Sequence, residues 1–384
     1  MNIHALIDKL TARRSLSLSE YEALITGRTQ EAAALLAERS DTIRKSVYGN
    51  TVFIRGLIEI SNFCKNDCLY CGIRRSNTDC ERYRLGEEEI INCARTGYEL
   101  GFRTFVLQAG EDPFFSDDFL CPLIRKIKAL FPDCALTLSL GERSFESYKK
   151  LFDTGVDRYL LRHETADKAH YEKLHPAELS YENRMRCLHE LKKIGFQTGC
   201  GFMVGSPYQT PASLAQDLKF IEEFKPAMCG IGPFIPHKKT PFKDEPAGTV
   251  ELTCYLLSVI RIIHPHVLLP ATTALDSIDP EGRIKGIAAG ANVVMPNLSP
   301  SNVRKKYELY NNKAHTGAEA AENKKLLDEQ LRGAGYRTVI GRGDFCTTPA
   351  SDTNLRERDD PTQRKEGNYG TVQSEVFACT RVHQ

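Results

Sequence analysis

Three cysteines crowd the segment Cys64-Lys65-Asn66-Asp67-Cys68-Leu69-Tyr70-Cys71, in a C-x3-C-x2-C spacing. Thiolates spaced this way on one tight loop reach three irons of a cubane cluster. A 4Fe-4S cluster then keeps one iron open to a small chelating molecule, which makes a reaction site rather than a wire for electrons. A structural zinc site using Cys64, Cys68, Cys71 and Cys80 is the alternative. Structural zinc usually takes its four ligands from two knuckles, and the chain offers no second one. Inert buried thiols are the third reading, and the density of cysteines in this segment weighs against it.

A loop of this kind needs a rigid frame, and the chain supplies a repeating one. Strands are expected at 52–60, 103–108, 134–140, 157–162, 196–204, 227–232, 266–270 and 291–296. Helical patterns separate them near 86–100, 116–130, 145–153, 181–194, 211–224, 248–263 and 282–289. Such alternation demands parallel strands, and eight repeats close naturally into a (β/α)8 barrel of the TIM type. An open doubly wound sheet is the other possibility. Helices are expected at 3–11, 17–26 and 29–45 ahead of the barrel. The predicted organisation is an N-terminal helical segment (1–50), the barrel (51–300), a helical extension closing it (301–345) and a flexible tail (346–384). Between 347 and 375 the only branched aliphatic residues are Leu355 and Val372, too few to offset the entropy of ordering. The Arg342-Gly343-Asp344 triplet reads as a turn.

Composition narrows the function classes. The 384 residues carry 51 basic and 50 acidic side chains, a net charge of +1, with no broad basic field for nucleic acid. The most apolar stretch, 255–270, is broken by Arg261, His264 and His266, so no membrane span is expected. Residues 1–14 lack the continuous apolar run of a secretory signal. An odd count of 13 cysteines in a chain this long points to reduced thiols in a cytoplasmic protein, not a disulfide framework.

From Glu59-Ile60-Ser61-Asn62 through Cys71-Gly72-Ile73-Arg74-Arg75 the chain resembles the radical S-adenosylmethionine (SAM) superfamily. The resemblance implies that Cys64, Cys68 and Cys71 hold a 4Fe-4S cluster whose open iron is chelated by SAM. An electron entering the cluster then cleaves a carbon–sulfur bond and yields a 5′-deoxyadenosyl radical. Tyr70 would pack near the adenine. The segment Gln108-Ala109-Gly110-Glu111-Asp112-Pro113 resembles the superfamily's Gly-Gly-Glu element for the SAM amino group, with Ala109 replacing the first glycine.

Further segments resemble the HydE-type maturases of iron–iron hydrogenase, close to the biotin synthase and methylornithine synthase branch. They are Leu138-Ser139-Leu140-Gly141-Glu142, the run from Arg158 to Thr165, Tyr181-Glu182-Asn183-Arg184, the run from Gly230 to His237, Pro270-Ala271-Thr272-Thr273-Ala274 and Val294-Met295-Pro296-Asn297. This resemblance implies that Glu164 binds the SAM ribose, that Arg184 lies near the SAM carboxylate, that Met203 belongs to the cofactor side, and that Thr137 belongs both to the cofactor side and to the walls of the substrate cavity. Arg158, Arg162, Thr272, Thr273, Met295, Tyr307 and Tyr310 match positions around the substrate cavity. A satisfied ion pair low in the barrel is the competing role for the two arginines, and His163 and His237 read as packing residues. The implied substrate is a small iron carbonyl–cyanide complex carrying cysteine. The implied partners are a ferredoxin or flavodoxin as electron donor and the other hydrogenase maturases. Residues 311–325 contain no Cys, and Cys346 and Cys379 are too scattered to replace a triad, so a single cluster is expected. The alternatives are a radical SAM mutase or sulfur-inserting enzyme similar to methylornithine synthase or biotin synthase, and, from another class, a non-catalytic zinc-binding module.

Overall fold

A computed structural model of the chain describes residues 2–315 and 320–346. Three helices come first: α1 (Ile3–Arg13), α2 (Leu18–Thr26) and α3 (Gln30–Tyr48). Then follow β1 (Thr51–Ile54), β2 (Gly56–Ser61), α4 (Glu87–Glu99), β3 (Thr104–Ala109), α5 (Asp117–Leu130), β4 (Ala135–Ser139) and α6 (Phe145–Thr154). The middle of the chain forms β5 (Arg158–Leu160), α7 (Lys168–Leu174), α8 (Tyr181–Ile194), β6 (Gln197–Cys200), β7 (Met203–Val204) and α9 (Pro211–Phe224). Next are β8 (Met228–Cys229), β9 (Gly232–Pro233), α10 (Val250–Ile263), α11 (Thr273–Ile278), α12 (Gly282–Ala288) and β10 (Val293–Val294). The last described elements are α13 (Ser301–Arg304), α14 (Ala320–Gly333) and β11 (Arg337–Val339).

Local chemistry starts these helices where the sequence places them. Ser17 and Glu20 form a reciprocal capping box on α2. Ser144, Ser180 and Thr249 each accept a backbone N–H in the first turn of α6, α8 and α10. Pro211 occupies the first turn of α9, where its missing N–H costs nothing.

All strand pairing in the barrel is parallel. One sheet runs β2-β3-β4-β5-β6-β8. Single bridges carry the order onward, from Met228 to Leu268 and from Pro270 to Val293. β10 then pairs with β1, and Asn297 with Leu57, so the ring returns to its first strand. The expected strand at 266–270 is thus reduced to bridges. The expected strand at 52–60 splits at Arg55 into β1 and β2. Its lower half pairs with β10 on one side and β11 on the other, while its upper half pairs with β3. Helix α3 lies along α10 and α2 along α9. Polar ties at these contacts include Tyr255 Oη donating to Leu24 O (2.8 Å) and Tyr21 Oη to Glu222 (2.7 Å).

The segment after α14 closes the N-terminal end of the barrel. β11 adds to β1, Thr104 Oγ1 donates to Arg342 O (2.7 Å), and Phe345 N donates to Gln197 Oε1 (2.9 Å). The Arg342-Gly343-Asp344 triplet lies inside this closure, held by ion pairs from Arg342 to Asp157 and from Asp344 to Arg158. The tail expected to be flexible, 346–384, lies outside the described residues from 347 onward.

Candidate functional site

The cysteine loop leaves the C-terminal end of β2, the end at which barrels of this type carry chemistry. Several side chains fix its path. Asn62 Nδ2 donates to Glu81 O (2.9 Å) and Lys306 O (2.7 Å), and its Oδ1 accepts from Tyr83 N (2.8 Å). Asp67 takes both oxygens to Arg74 (2.7 and 2.6 Å) and accepts from Ser76, so its carboxyl sits well below the usual carboxylate range. Arg82 reaches the carbonyls of Asn62, Ile73, Arg74 and Asn77. These bonds brace the loop from within the chain.

Gly110 lets the next strand's loop lie against it. A Cβ there would stand 2.3 Å from Phe63 O and 2.7 Å from Cys64 Cβ. Two bonds stitch the loops together: Lys65 N to Glu111 O (2.9 Å) and Glu111 N to Cys64 Sγ (3.4 Å). Asp112 accepts from Ser61 Oγ and from both forks of Arg84.

Desolvation raises all three thiols, Cys68 up to about 12, and the thiols of Cys64 and Cys68 push Cys71 higher still. Such a trio is stable as thiolates only against a cationic partner. Among the described residues no three His, Cys, Asp or Glu converge as ligands of a single metal ion would. A cubane cluster takes its thiolates at separate corners, and the mutual influence of the three thiols fits that wider arrangement.

Across the barrel mouth stand the expected SAM residues. Glu164 has φ +65°, a strained value for a non-glycine residue, held by Glu164 N to Gly201 O (3.0 Å) and Met203 N to Glu164 O (3.2 Å). Its Oε2 is buried with no hydrogen-bond partner, although Arg162 Nη2 lies 3.2 Å away. Nε and Nη2 of Arg162 are likewise buried and unbonded. Arg184 donates to Glu142 Oε1 (2.5 Å) and Arg162 O (2.6 Å), and Glu142 N donates to Glu111 Oε1 (3.0 Å). Gly141, at φ +76°, makes room for that last contact, because a Cβ would sit 1.9 Å from Glu111 Cγ. Glu111, Arg184, Arg162 and Glu164 thus belong to one connected set. Tyr70 packs in a small apolar cluster with Met203, Phe234 and Leu174. His175 Nδ1 bonds Tyr171 O (2.9 Å), which leaves Nε2 to accept from Tyr70 Oη (3.2 Å).

The expected substrate residues divide. The hydroxyls of Thr137 and Thr272 are buried without partners. Thr273 and Met295 line a small cavity of about 100 Å³ with Asn297 and Lys313. Tyr307 is buried, its Oη accepting from Gln108 Nε2 (3.2 Å), and burial pushes the half-buried Tyr310 hydroxyl up to about 12. Arg158 is not brought to this group. It opens β5 at the far end and spends its donors on Asp344 Oδ1 (2.6 Å), Arg342 O (2.8 Å), Thr104 Oγ1 (3.0 Å) and Gln197 Oε1 (3.2 Å). His163, beside Glu164, is buried and paired with Asp217 at 3.2 Å, and His237 is buried 3.7 Å from Glu308.

Sequence reasoning missed the buried Glu59–Lys313 ion pair beside Tyr307, completed by Asn297 Nδ2 to Glu59 Oε2 (2.8 Å). It also missed the bracing roles of Asp67, Arg82 and Glu142. Asp67 lies inside the cysteine motif and was open to discovery, whereas nothing local links Lys313 to Glu59.

A model of the radical SAM superfamily matches residues 58–221. The [FeFe] hydrogenase maturase subunit HydE of Thermotoga maritima is 46% identical over 275 residues, covering 72% of this chain and 78% of that one. The 3-methylornithine synthase of Methanosarcina acetivorans is 28% identical over 291 residues, or 75% and 81% of the two chains. The crystal structure of methylornithine synthase (PylB) superposes with a TM-score of 0.76 at 25% identity, covering 87% of this chain and 97% of that one. With its cysteine loop, barrel and sequence in agreement, the chain belongs to the HydE family of [FeFe] hydrogenase maturases within the radical SAM superfamily.

Proposed function

We propose that this enzyme reductively cleaves SAM at a single 4Fe-4S cluster and uses the product radical on a small cysteine-bound iron carbonyl–cyanide precursor of the diiron cofactor. The observation that carries this reading is the junction of two halves. The loop of Cys64, Cys68 and Cys71 is stitched to Gly110-Glu111, and Glu111 connects through Glu142 and Arg184 to the unsatisfied Glu164 and Arg162.

When bound, the cluster and SAM supply a carbon-centred radical; the chain's own residues do the rest. Cys64, Cys68 and Cys71 hold the cluster. Glu111 accepts from the SAM ammonium, Arg184 faces the carboxylate, Glu164 takes the ribose hydroxyls, and Tyr70 and Met203 flank the adenine. Arg162, Thr272, Thr273 and Tyr307, with Thr137 below them, line the substrate side, where a guanidinium and hydroxyls suit anionic cyanide and carboxylate groups. The ring of strands keeps water from the radical. A ferredoxin or flavodoxin supplies electrons, and the other hydrogenase maturases deliver or receive the precursor.

Anaerobic reconstitution tests the reading. Four irons and four sulfides per chain are expected, with 5′-deoxyadenosine formed only when a reductant is present. Cys71→Ala should lose both, and Cys379→Ala neither. Omitting the protein from in vitro maturation of an apo-hydrogenase should abolish activity; equal activity without it sinks the maturase assignment. The likeness to methylornithine synthase in sequence and fold sustains a second reading as an amino-acid mutase. Formation of 3-methylornithine by the reconstituted protein would select it.

A further inference from the structure

Resting on the radical SAM reading, we propose that Tyr171 is a further binding residue of the site, its hydroxyl donating to the SAM carboxylate beside Arg184. Helix α7 starts on Asp167, whose side chain accepts from Ala169 N (3.0 Å) and His170 N (3.3 Å). In that helix Tyr171 is fully buried, and its ring is held on two sides. The His175 ring stacks on it with centroids 3.9 Å apart, tied by the bond between His175 Nδ1 and Tyr171 O (2.9 Å). Tyr181 of α8 meets it edge-on at 5.7 Å. Packing therefore sets where the hydroxyl points, with no bond of its own.

That hydroxyl is an exception among its kind. Tyr21, Tyr148 and Tyr159 are equally buried, and each donates to a carboxylate or carbonyl oxygen. Tyr171 Oη has no partner among the described residues, a state that a bound acceptor would relieve. Its charged surroundings select the acceptor. Arg184 acts on it most strongly, then Glu142, Cys68 and Glu164, all groups of the cluster loop and the SAM set. Arg184 in turn is influenced more by Tyr171 than by Glu142, which it touches at 2.5 Å, so hydroxyl and guanidinium stand close together. Yet they do not bond each other. Arg184 spends Nε on Glu142 and Nη1 on Arg162 O, which leaves Nη2 without a hydrogen-bond partner among the described residues. Burial raises the Tyr171 hydroxyl above its ordinary value, so it keeps its proton and can donate. Two neighbouring donors without acceptors, one of them cationic, suit a carboxylate.

The test is Tyr171→Phe in the cluster-loaded protein, which keeps the ring and deletes the oxygen. Equilibrium binding is measured without reductant, so that no ligand is consumed. The two ligands are SAM and decarboxylated SAM, which lacks only the carboxylate. The variant should bind SAM about tenfold or more weakly than the unaltered protein. Decarboxylated SAM should bind equally well to both proteins. Undiminished SAM binding overturns the assignment. An equal loss with both ligands also overturns it, because the hydroxyl would then serve the ribose, the ammonium or the packing of the site. The two readings fail separately. A cluster-loaded, unaltered protein that binds no SAM removes the radical SAM reading and Tyr171 with it, whereas SAM binding indifferent to Tyr171→Phe removes Tyr171 alone.

Discussion

Glu164 combines a strained backbone, burial and an unsatisfied oxygen, a costly state that a bound polyol would relieve. Replacing it by Gln removes the charge with little change of shape. SAM affinity should fall by about tenfold to a hundredfold, the range of one or two hydrogen bonds to a charged group, with iron content unchanged. Equilibrium binding to the reconstituted protein measures this. Gly110 tests the fit from the other side. A methyl at that position meets the backbone oxygen of Phe63, which has nowhere to move, so Gly110→Ala should cost about 1–3 kcal/mol and lower iron retention. Denaturant melts and iron analysis report both. The residues legible in the sequence share one property: their partners are close in the chain or their types are chemically demanding. Cys64, Cys68 and Cys71 share one loop. Lys313 and Glu59 meet only because the chain returns from beyond the barrel, and no spacing announces that.

Secondary structure was legible where capping and apolar periodicity agree, as for α6, α8 and α9. The strands were found, but not their interruptions. The expected strand at 52–60 breaks at Arg55 because its two halves serve different neighbours, a choice made by tertiary pairing rather than by local preference. β11 was missed altogether, its three residues lacking any alternation pattern, and the segment that follows it is what explains Arg158. Standing four residues before Arg162, that arginine shares its parity on a regular strand, so both can point into the barrel. Parity gives direction, however, not height, and at this height the waiting partner is Asp344. Asp344→Ala should strip a fully buried guanidinium of its counter-charge. The cost should be about 2–4 kcal/mol, below that of a fully enclosed pair because the Asp344 side chain is 36% exposed. Chemical denaturation would show it, and the iron bound per folded molecule should stay unchanged.

At the scale of the molecule, the alternation of strands and helices told of an eight-strand ring, and the pairing closes it. The ring also buries histidines. Desolvation lowers His175 to about 3 and His264 to about 4. Both are neutral in the folded state, while the unfolded chain takes up protons near pH 6.5. Stability should therefore decline as pH falls from about 6.5 towards 4, by up to about 1.4 kcal/mol per pH unit for each histidine. His163, lowered to about 3, adds the same sign, but the raised carboxyl of Asp217 beside it has the opposite one, so that pair largely cancels. Urea titrations across this range read the slope. The seating of β11 against β1 also orders events in time. During synthesis the three cluster cysteines emerge long before Arg337, so for part of translation the first strand has a free lower edge. Two processes then compete for the nascent chain: delivery of iron and sulfide from above, and closure from below. The lower edge of β1 stays open to other strands until β11 arrives, the last strand among the described residues.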